Sequence, residues 1–268
     1  MAASNVVFVL LICFIINSFA KRDSLYDFLF NGDYEFIDLT HPFDNQTVYW
    51  PNAQVFRFTK QIGDYDATGS WYAANDFTAG EHGGTHIDAP YHFAKTGLHV
   101  GELPLTKLIA ALIIIDISSI VNDDPKFVLY KTHLDHLLYY EDKPSLLIFK
   151  FGWSKYFNDT KKYLGQNDND NTLNFPGLSE EVVEWIISAN KKVVGIGVDV
   201  ASVDPGSSTN FPVHKILSTK GLYGIENVNL SRQIPETGCT ALALPMKIAL
   251  GTGAPLRLVA ICSKQEPK

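Results

Sequence analysis

The chain has 268 residues, a formal net charge of −7 and 46% hydrophobic residues. That length suits one large domain or two small ones, and the hydrophobic content can supply a substantial core. An acidic balance without a basic cluster argues against binding to nucleic acid or to anionic membrane surfaces.

The first twenty residues are typical of a secretory signal peptide. An apolar run from Val6 to Ile16 precedes the small residues Ser18 and Ala20. The run is too short to span a bilayer, and it fits the hydrophobic region of a signal peptide, although no basic residue comes before it. We therefore predict cleavage after residue 20 and a secreted, extracellular mature chain with no membrane association. An anchor that is never cleaved is the alternative.

Three Asn-x-Ser/Thr triplets follow, beginning at Asn45, Asn158 and Asn229. In a secreted chain each of them is a possible glycan site, so the triplets agree with export and predict a glycoprotein. Such triplets also arise by chance, and they do not prove secretion.

The apolar runs predict more strands than helices. Strand-like runs cover 34–39, 108–117, 145–152 and 191–200, and helical patterns cover 132–141, 179–190 and 210–221. A polar stretch at 158–177 is predicted to be an exposed loop. No repeat, linker or domain boundary is visible. We expect residues 21–268 to form a single α/β domain with a mixed, partly antiparallel sheet and flanking helices.

Two cysteines remain after signal cleavage, Cys239 and Cys262. They flank two apolar strand-like runs and lie equally far from the turn, ALGTGA, that joins these runs. Because a secreted chain matures in an oxidising compartment, a cross-strand disulfide is one expectation. Two buried free thiols are the other.

Polar side chains that can bind a metal are concentrated in the stretch EHGGTHIDAPYHF, residues 81–93. A helix fails there because of its glycines and proline, whereas an extended chain places His82, His86, Asp88 and His92 on one face. Gly84, on the same face, would let a ligand approach the backbone. A straight strand would separate His82 from His86 by about 13 Å, so the glycines must bend the chain. Imidazole and carboxylate together predict a zinc, manganese or similar divalent site.

One short segment cannot complete a hydrolytic metal site, so further ligands must come from distant parts of the chain. His214, on the third predicted helix, and Glu226, at the end of the strand-like GLYGIE, are the best candidates. The alternative for His214 is a structural histidine in the core or at the surface.

The stretch from His82 to Phe93 resembles the H-x-G-T-H-x-D-x-P-x-H signature of the cyclase family of metal-dependent hydrolases, which includes bacterial-type kynurenine formamidases and isatin hydrolases. The resemblance extends over IDLTHPF, FGWSKYF, GIGVDVASVDPG and the C-terminal LALPMKI and APLRLVAI runs. It implies a mixed α/β fold of the swivelling β/β/α type, one or two Zn or Mn ions per chain, and a homodimer or larger homo-oligomer.

The resemblance also implies roles for individual residues. It implies that His82, His86 and Asp88 bind the first metal, with the aspartate bridging to a second ion, and that His214 and Glu226 complete the second site. It further implies that His92 is the general acid/base and that Trp50 contacts the substrate. The expected function is hydrolysis of a small aromatic amide, above all the arylformamidase reaction of tryptophan catabolism, which converts N-formylkynurenine to kynurenine and formate. The alternatives are hydrolysis of a cyclic amide such as isatin, or a secreted, non-catalytic small-molecule binding protein on the same fold.

Overall fold

The computed structural model describes residues 25–134, 142–167 and 172–264. The predicted signal peptide and most of the helix predicted at 132–141 lie outside these residues. Residues 36–263 form one compact unit, and the described residues 25–35 with Lys264 belong to a second, small one. The single domain predicted for 21–268 stays a prediction. In the described ranges, no helix is long and apolar enough to cross a membrane.

Twelve strands and six short helices make up the described chain. The strands are β1 (Tyr34–Asp38), β2 (Arg57–Tyr65), β3 (Trp71–Thr78), β4 (His86–Asp88), β5 (Ile109–Asp116), β6 (Val128–Leu129), β7 (Ser145–Lys150), β8 (Gly177–Leu178), β9 (Val193–Val198), β10 (Tyr223–Glu226), β11 (Cys239–Pro245) and β12 (Gly253–Ser263). The helices are α1 (Leu25–Phe30), α2 (Leu105–Leu108), α3 (Ser118–Val121), α4 (Thr160–Leu164), α5 (Glu180–Ala189) and α6 (Pro212–Thr219).

Eight strands form one mixed sheet in the order β1-β12-β11-β5-β7-β9-β10-β4. The strands β5, β7, β9 and β10 are parallel, whereas β11 runs antiparallel to both β5 and β12. The short strand β4 is antiparallel to β10 on one side and to β12 on the other, so the sheet closes into a barrel-like ring. This arrangement confirms the predicted α/β fold with a partly antiparallel sheet.

The predicted strands at 34–39, 108–117, 145–152 and 191–200 correspond to β1, β5, β7 and β9. Every residue of β9 is buried, which explains why its sequence is a nearly continuous apolar run. Along β5 the side chains alternate between two cores, with Ile113 and Ile115 in one and Leu112 and Ile114 in the other. The sheet therefore buries apolar side chains on both faces.

Two of the three predicted helices are present. Helix α5 begins after Ser179, whose hydroxyl accepts a hydrogen bond from the Val182 backbone N–H, and it buries Val182, Val183 and Ile186. Helix α6 begins with Pro212, as expected from the fixed φ of proline in a first turn. The helix predicted at 132–141 lies mostly outside the described residues, and its described start is part of a 3₁₀ turn at Lys131–His133.

The hairpin of β2 and β3 was not expected from the sequence. Nearly all residues of both strands are exposed, including the aromatic residues Tyr65, Trp71 and Tyr72. A strand with no buried face lacks the alternation of apolar and polar residues that identifies strands in a sequence. This explains why the pattern did not reveal the hairpin.

Cys239 and Cys262 face each other across β11 and β12 and form a disulfide. Both residues are buried in the apolar core. The structure thus favours the cross-strand bond over two free thiols.

Loss of this bond should destabilise the fold. The two cysteines are 23 positions apart, and closing a loop of that size restricts the unfolded chain enough to contribute about 3 kcal/mol. We expect the wild type in excess dithiothreitol, and the Cys239→Ala/Cys262→Ala variant, to show a correspondingly lower free energy of unfolding in urea. Reduction breaks the bond without removing a side chain, so it measures the effect of the bond separately from that of core packing. An unchanged urea midpoint after reduction would show that the bond contributes nothing to stability.

Candidate functional site

The stretch 81–93 is extended over only three residues. Strand β4 comprises His86–Asp88, while Pro90–His92 form a 3₁₀ turn and Gly84 has a φ of +56°. The bend required of the glycines is present, because the ring centroids of His82 and His86 lie 5.3 Å apart. The single extended face predicted from 82 to 92 is wrong outside β4. The four polar side chains converge through turns instead.

The two glycines serve close packing. A side chain at Gly83 would overlap the ring of Tyr49, and one at Gly84 would press on Thr47 and Phe43. The space expected beside Gly84 for a ligand is therefore filled by protein. The Gly84 carbonyl nevertheless contributes to the site, since it accepts a hydrogen bond from His86 Nδ1 at 2.9 Å.

The pairing of β4 with β10 brings the distant carboxylate to the motif. Glu226 lies opposite His86 in the register, and Gly224 lies opposite Asp88. A side chain at Gly224 would approach Asp88 Oδ2 to 3.2 Å, so the glycine leaves room for the carboxylate. His214 arrives from α6. The sheet register and one helix thus assemble the predicted residues.

Five of the predicted residues form two overlapping groups of donor atoms, each compact enough to hold a metal ion: His82, His86 and Asp88, and Asp88, His214 and Glu226. Asp88 belongs to both groups. Its Oδ1 lies 2.6 Å from His82 Nδ1 and 3.3 Å from His86 Nε2, and its Oδ2 lies 3.4 Å from His214 Nε2. The carboxylate of Glu226 lies 3.1 Å from His214 Nε2 and 3.4 Å from His86 Nε2.

Each of the three histidines has its outer ring nitrogen occupied. Nδ1 of His86 donates to the Gly84 carbonyl, and Nδ1 of His214 donates to Asp204 Oδ2 at 2.6 Å. The Asp204 carboxylate also accepts from the backbone N–H groups of Val213 and His214, which fixes the start of α6. Partners of this kind set the ring orientation and leave the inner nitrogen free to bind a metal.

The electrostatics of the cluster fit a cation. Burial alone would lower the pKa of His86, but the close carboxylate of Asp88, with the charge of Glu226, raises it to about 9. Burial would raise the pKa of Asp88, yet its contacts with His214, His82 and His86 hold that pKa well below the ordinary value. The cluster is therefore strongly attractive to positive charge.

Two buried atoms of the cluster, His86 Nε2 and Asp88 Oδ2, have no hydrogen-bond partner. Leaving buried polar atoms unpaired is costly, and a divalent cation would satisfy both of them. Imidazole nitrogens with carboxylate oxygens are suitable ligands for zinc or manganese. The residues present thus fit a divalent metal ion.

His92 lies beside the two groups and belongs to neither. Its ring stacks on that of His82 with centroids 4.0 Å apart, and its centroid lies 5.8 Å from that of His214. Burial lowers the pKa of His92 to about 4. The imidazole is therefore neutral near pH 7 and can accept a proton.

A cavity of about 280 Å³ opens over the cluster. This volume is close to the lower end of the range for small-molecule sites, about 300–1,000 Å³. Aromatic side chains form its walls: Tyr49, Trp50, Phe93 and Phe211. The predicted contact residue Trp50 lies in this wall, with its ring 5.8 Å from that of Phe211. The site can accommodate a small, flat, apolar molecule next to a charged cluster.

The sequence did not reveal the residues that contact the outer nitrogens, namely Asp204 for His214 and Thr252 for His82, nor the role of Glu81, which accepts hydrogen bonds from Thr252. Asp204 lies ten positions before His214 in an Asp-Pro-Gly turn, which is a signal for a turn but not for a histidine partner. Thr252 is 170 positions away from His82 along the chain. Only the three-dimensional structure shows these contacts.

The fold and the site together define a mixed α/β protein with a histidine–carboxylate centre below an aromatic cavity. The family model described as Putative cyclase matches residues 37–205. The chain therefore belongs to the cyclase family.

Individual relatives agree with this assignment and are hydrolases. The chain is 28% identical to an isatin hydrolase of Roseibium aggregatum, over 88% of this chain and 95% of that protein. It is also 28% identical to a kynurenine formamidase of Bacillus thuringiensis, over 84% of this chain and 96% of the relative. Among solved structures, isatin hydrolase A from Ralstonia solanacearum matches with a TM-score of 0.81 and 28% identity, covering 91% of this chain and 98% of that one.

Asp88 should be the residue on which metal binding depends most, because it is common to both groups of donor atoms. We expect Asp88→Ala to weaken binding of Zn²⁺ by more than about 100-fold, as measured by competition with a chelator and by elemental analysis. Asp123→Ala, which removes an exposed carboxylate paired with Lys155, is the control and should bind like the wild type. Full metal content in Asp88→Ala would contradict the assignment.

Proposed function

We propose that this protein is a metal-dependent hydrolase of a small aromatic amide, with an aryl formamide such as N-formylkynurenine as the first candidate substrate. The observation that carries the proposal is the pair of donor groups sharing Asp88 beneath an aromatic cavity. Kynurenine formamidase activity among the relatives supports the aryl formamide.

A divalent ion bound by these residues supplies Lewis acidity, which polarises a carbonyl and lowers the pKa of water. The aromatic walls hold the ring of the substrate, so that its amide group faces the polar end of the cavity, which is lined by His82, His86 and Glu226. His92, neutral because of its lowered pKa, takes a proton from the attacking water. It returns that proton to the amide nitrogen as the C–N bond breaks. For N-formylkynurenine the products are formate and kynurenine.

A cyclic amide such as isatin is the second candidate. It is favoured by the isatin hydrolase of Roseibium aggregatum, which aligns over 95% of its length. In both reactions water adds to an amide carbonyl attached through nitrogen to an aromatic ring. They differ in that opening a ring yields a single product. The same cavity and the same acid/base can serve either bond.

A binding protein without turnover is the competing class. Such a protein need not keep a proton-transfer group, whereas this chain has His92 at the cavity together with all five candidate ligands. The retained set favours catalysis. Release of an unchanged aromatic amide by the metal-loaded wild type would favour the binding protein instead.

Replacing His92 should separate chemistry from metal binding. We expect His92→Ala to keep its metal and its affinity for substrate, while kcat falls by roughly 10²–10⁴, the usual contribution of a positioned acid/base. Single-turnover hydrolysis of N-formylkynurenine and of isatin, with metal content determined on the same preparations, measures both effects.

The control is His133→Ala, a histidine in a 3₁₀ turn that does not line the cavity, which should leave kcat unchanged. Loss of metal in His92→Ala would instead make His92 a ligand. Absence of hydrolysis of any aryl or cyclic amide by the metal-loaded wild type would overturn the enzyme proposal.

We also propose that the protein is secreted. The disulfide between Cys239 and Cys262 agrees with maturation in an oxidising compartment. The side chains of Asn45 and Asn158 are exposed and therefore accessible to glycosylation, whereas Asn229 is partly buried. The homodimer or larger assembly stays a prediction, which sedimentation velocity of the mature chain would measure.

Expression in a eukaryotic secretory host tests export. We expect protein in the medium whose sequence begins near Lys21 and which loses mass on treatment with an N-glycosidase. An Asn45→Gln/Asn158→Gln variant should lose most of that mass difference. Protein retained in the cell with Met1 intact would contradict export.

A further inference from the structure

His82 differs from the other two histidines of the cluster in its outer partner. His86 and His214 donate to a carbonyl and a carboxylate, groups that only accept hydrogen bonds, so the tautomer of each ring is fixed. Nε2 of His82 instead lies 2.8 Å from Thr252 Oγ1, a hydroxyl that can either donate or accept. The hydroxyl alone would leave the tautomer of His82 undetermined.

Glu81 removes that freedom. Its Oε2 accepts hydrogen bonds from the Thr252 hydroxyl at 2.7 Å and from the Thr252 backbone N–H at 2.9 Å. A hydroxyl has one proton, and here that proton is given to Glu81, so Oγ1 can only accept from His82. His82 Nε2 therefore carries a proton, which it donates to Thr252. Nδ1 faces Asp88 Oδ1 at 2.6 Å, a hydrogen-bond distance, and a divalent ion bound to Nδ1 would take the place of the proton there.

The backbone holds Thr252 in this position. Its carbonyl accepts from the Ala89 N–H at 2.9 Å, just beyond the end of β4. Its two glycine neighbours permit the close approach, since a side chain at Gly253 would collide with the His82 ring and one at Gly251 would press on Glu81. The Gly-Thr-Gly sequence and Glu81 together form a rigid support on the outer side of His82.

We propose that Thr252 and Glu81 are positioning residues, which hold His82 as the Nε2–H tautomer and direct its Nδ1 at the divalent ion. The inference depends on the metal site of the proposed function. It adds to that site a hydroxyl and a carboxylate that bind no metal themselves. Outer partners of metal-binding histidines typically contribute 10–100-fold to metal affinity.

The first test is Zn²⁺ affinity, measured by chelator competition on the full mature protein. We expect Thr252→Val, which keeps the shape but removes the hydroxyl, to bind Zn²⁺ about 10–100-fold more weakly than the wild type. Thr252→Ser keeps the hydroxyl and should stay within about threefold of the wild type. A purely structural role would predict equal losses for both variants.

The second test follows the His82 proton by ¹⁵N NMR of histidine-labelled, Zn²⁺-loaded protein, with the signal assigned through His82→Gln. In the wild type and in Thr252→Ser, the Nε2–H should exchange slowly with water. In Thr252→Val it should exchange quickly.

The outcomes are distinguishable. A wild type that binds no Zn²⁺ overturns the proposed function itself. Equal Zn²⁺ affinity of the wild type and Thr252→Val, or equal losses in the valine and serine variants, overturns the positioning role alone. If Thr252→Val does not fold, the wild type still decides, because a His82 Nε2–H that exchanges as fast as an exposed imidazole overturns the proposal.

Discussion

Asp88 is a buried carboxylate whose two oxygens face three imidazole rings, and the surrounding structure is organised around that charge. A buried carboxylate is stable only when hydrogen bonds or opposite charge compensate its lost hydration. The fold supplies these partners from three sources: the turn before β4, β4 itself and α6. A glycine in β10 leaves the space that the carboxylate occupies.

The balance of charge in the cluster bears on how many ions it can hold. With their inner nitrogens bound to a metal, the three imidazoles would carry no charge, and the carboxylates of Asp88 and Glu226 would carry two negative charges, which one divalent ion neutralises. A second ion would leave an excess of positive charge in a buried site. That excess would need an anion, and either hydroxide or the carboxylate of a product could supply it. The donor geometry admits both occupancies.

Much of the fold and of the candidate site could be predicted from the sequence. The strands β5, β7 and β9 are continuous apolar runs because they are buried, and the motif 81–93 contains four functional candidates in one segment. The β2–β3 hairpin was not predicted because its two strands are exposed on both faces, and their sequences therefore lack the alternation of apolar and polar residues that a buried face produces. Thr252 and Asp204 escaped because they contact the histidines through the fold, and Thr and Asp in turns are common for reasons unrelated to metals.

Strand β4 is only three residues long, yet it is hydrogen-bonded on both edges, by β10 and by β12. In an open sheet, so short a strand would lie at an edge and could separate from its neighbour while the rest stayed folded. Here its release requires the ring of strands to open. The arrangement of His86 and Asp88 is thus linked to the closure of the ring of strands on both sides of β4.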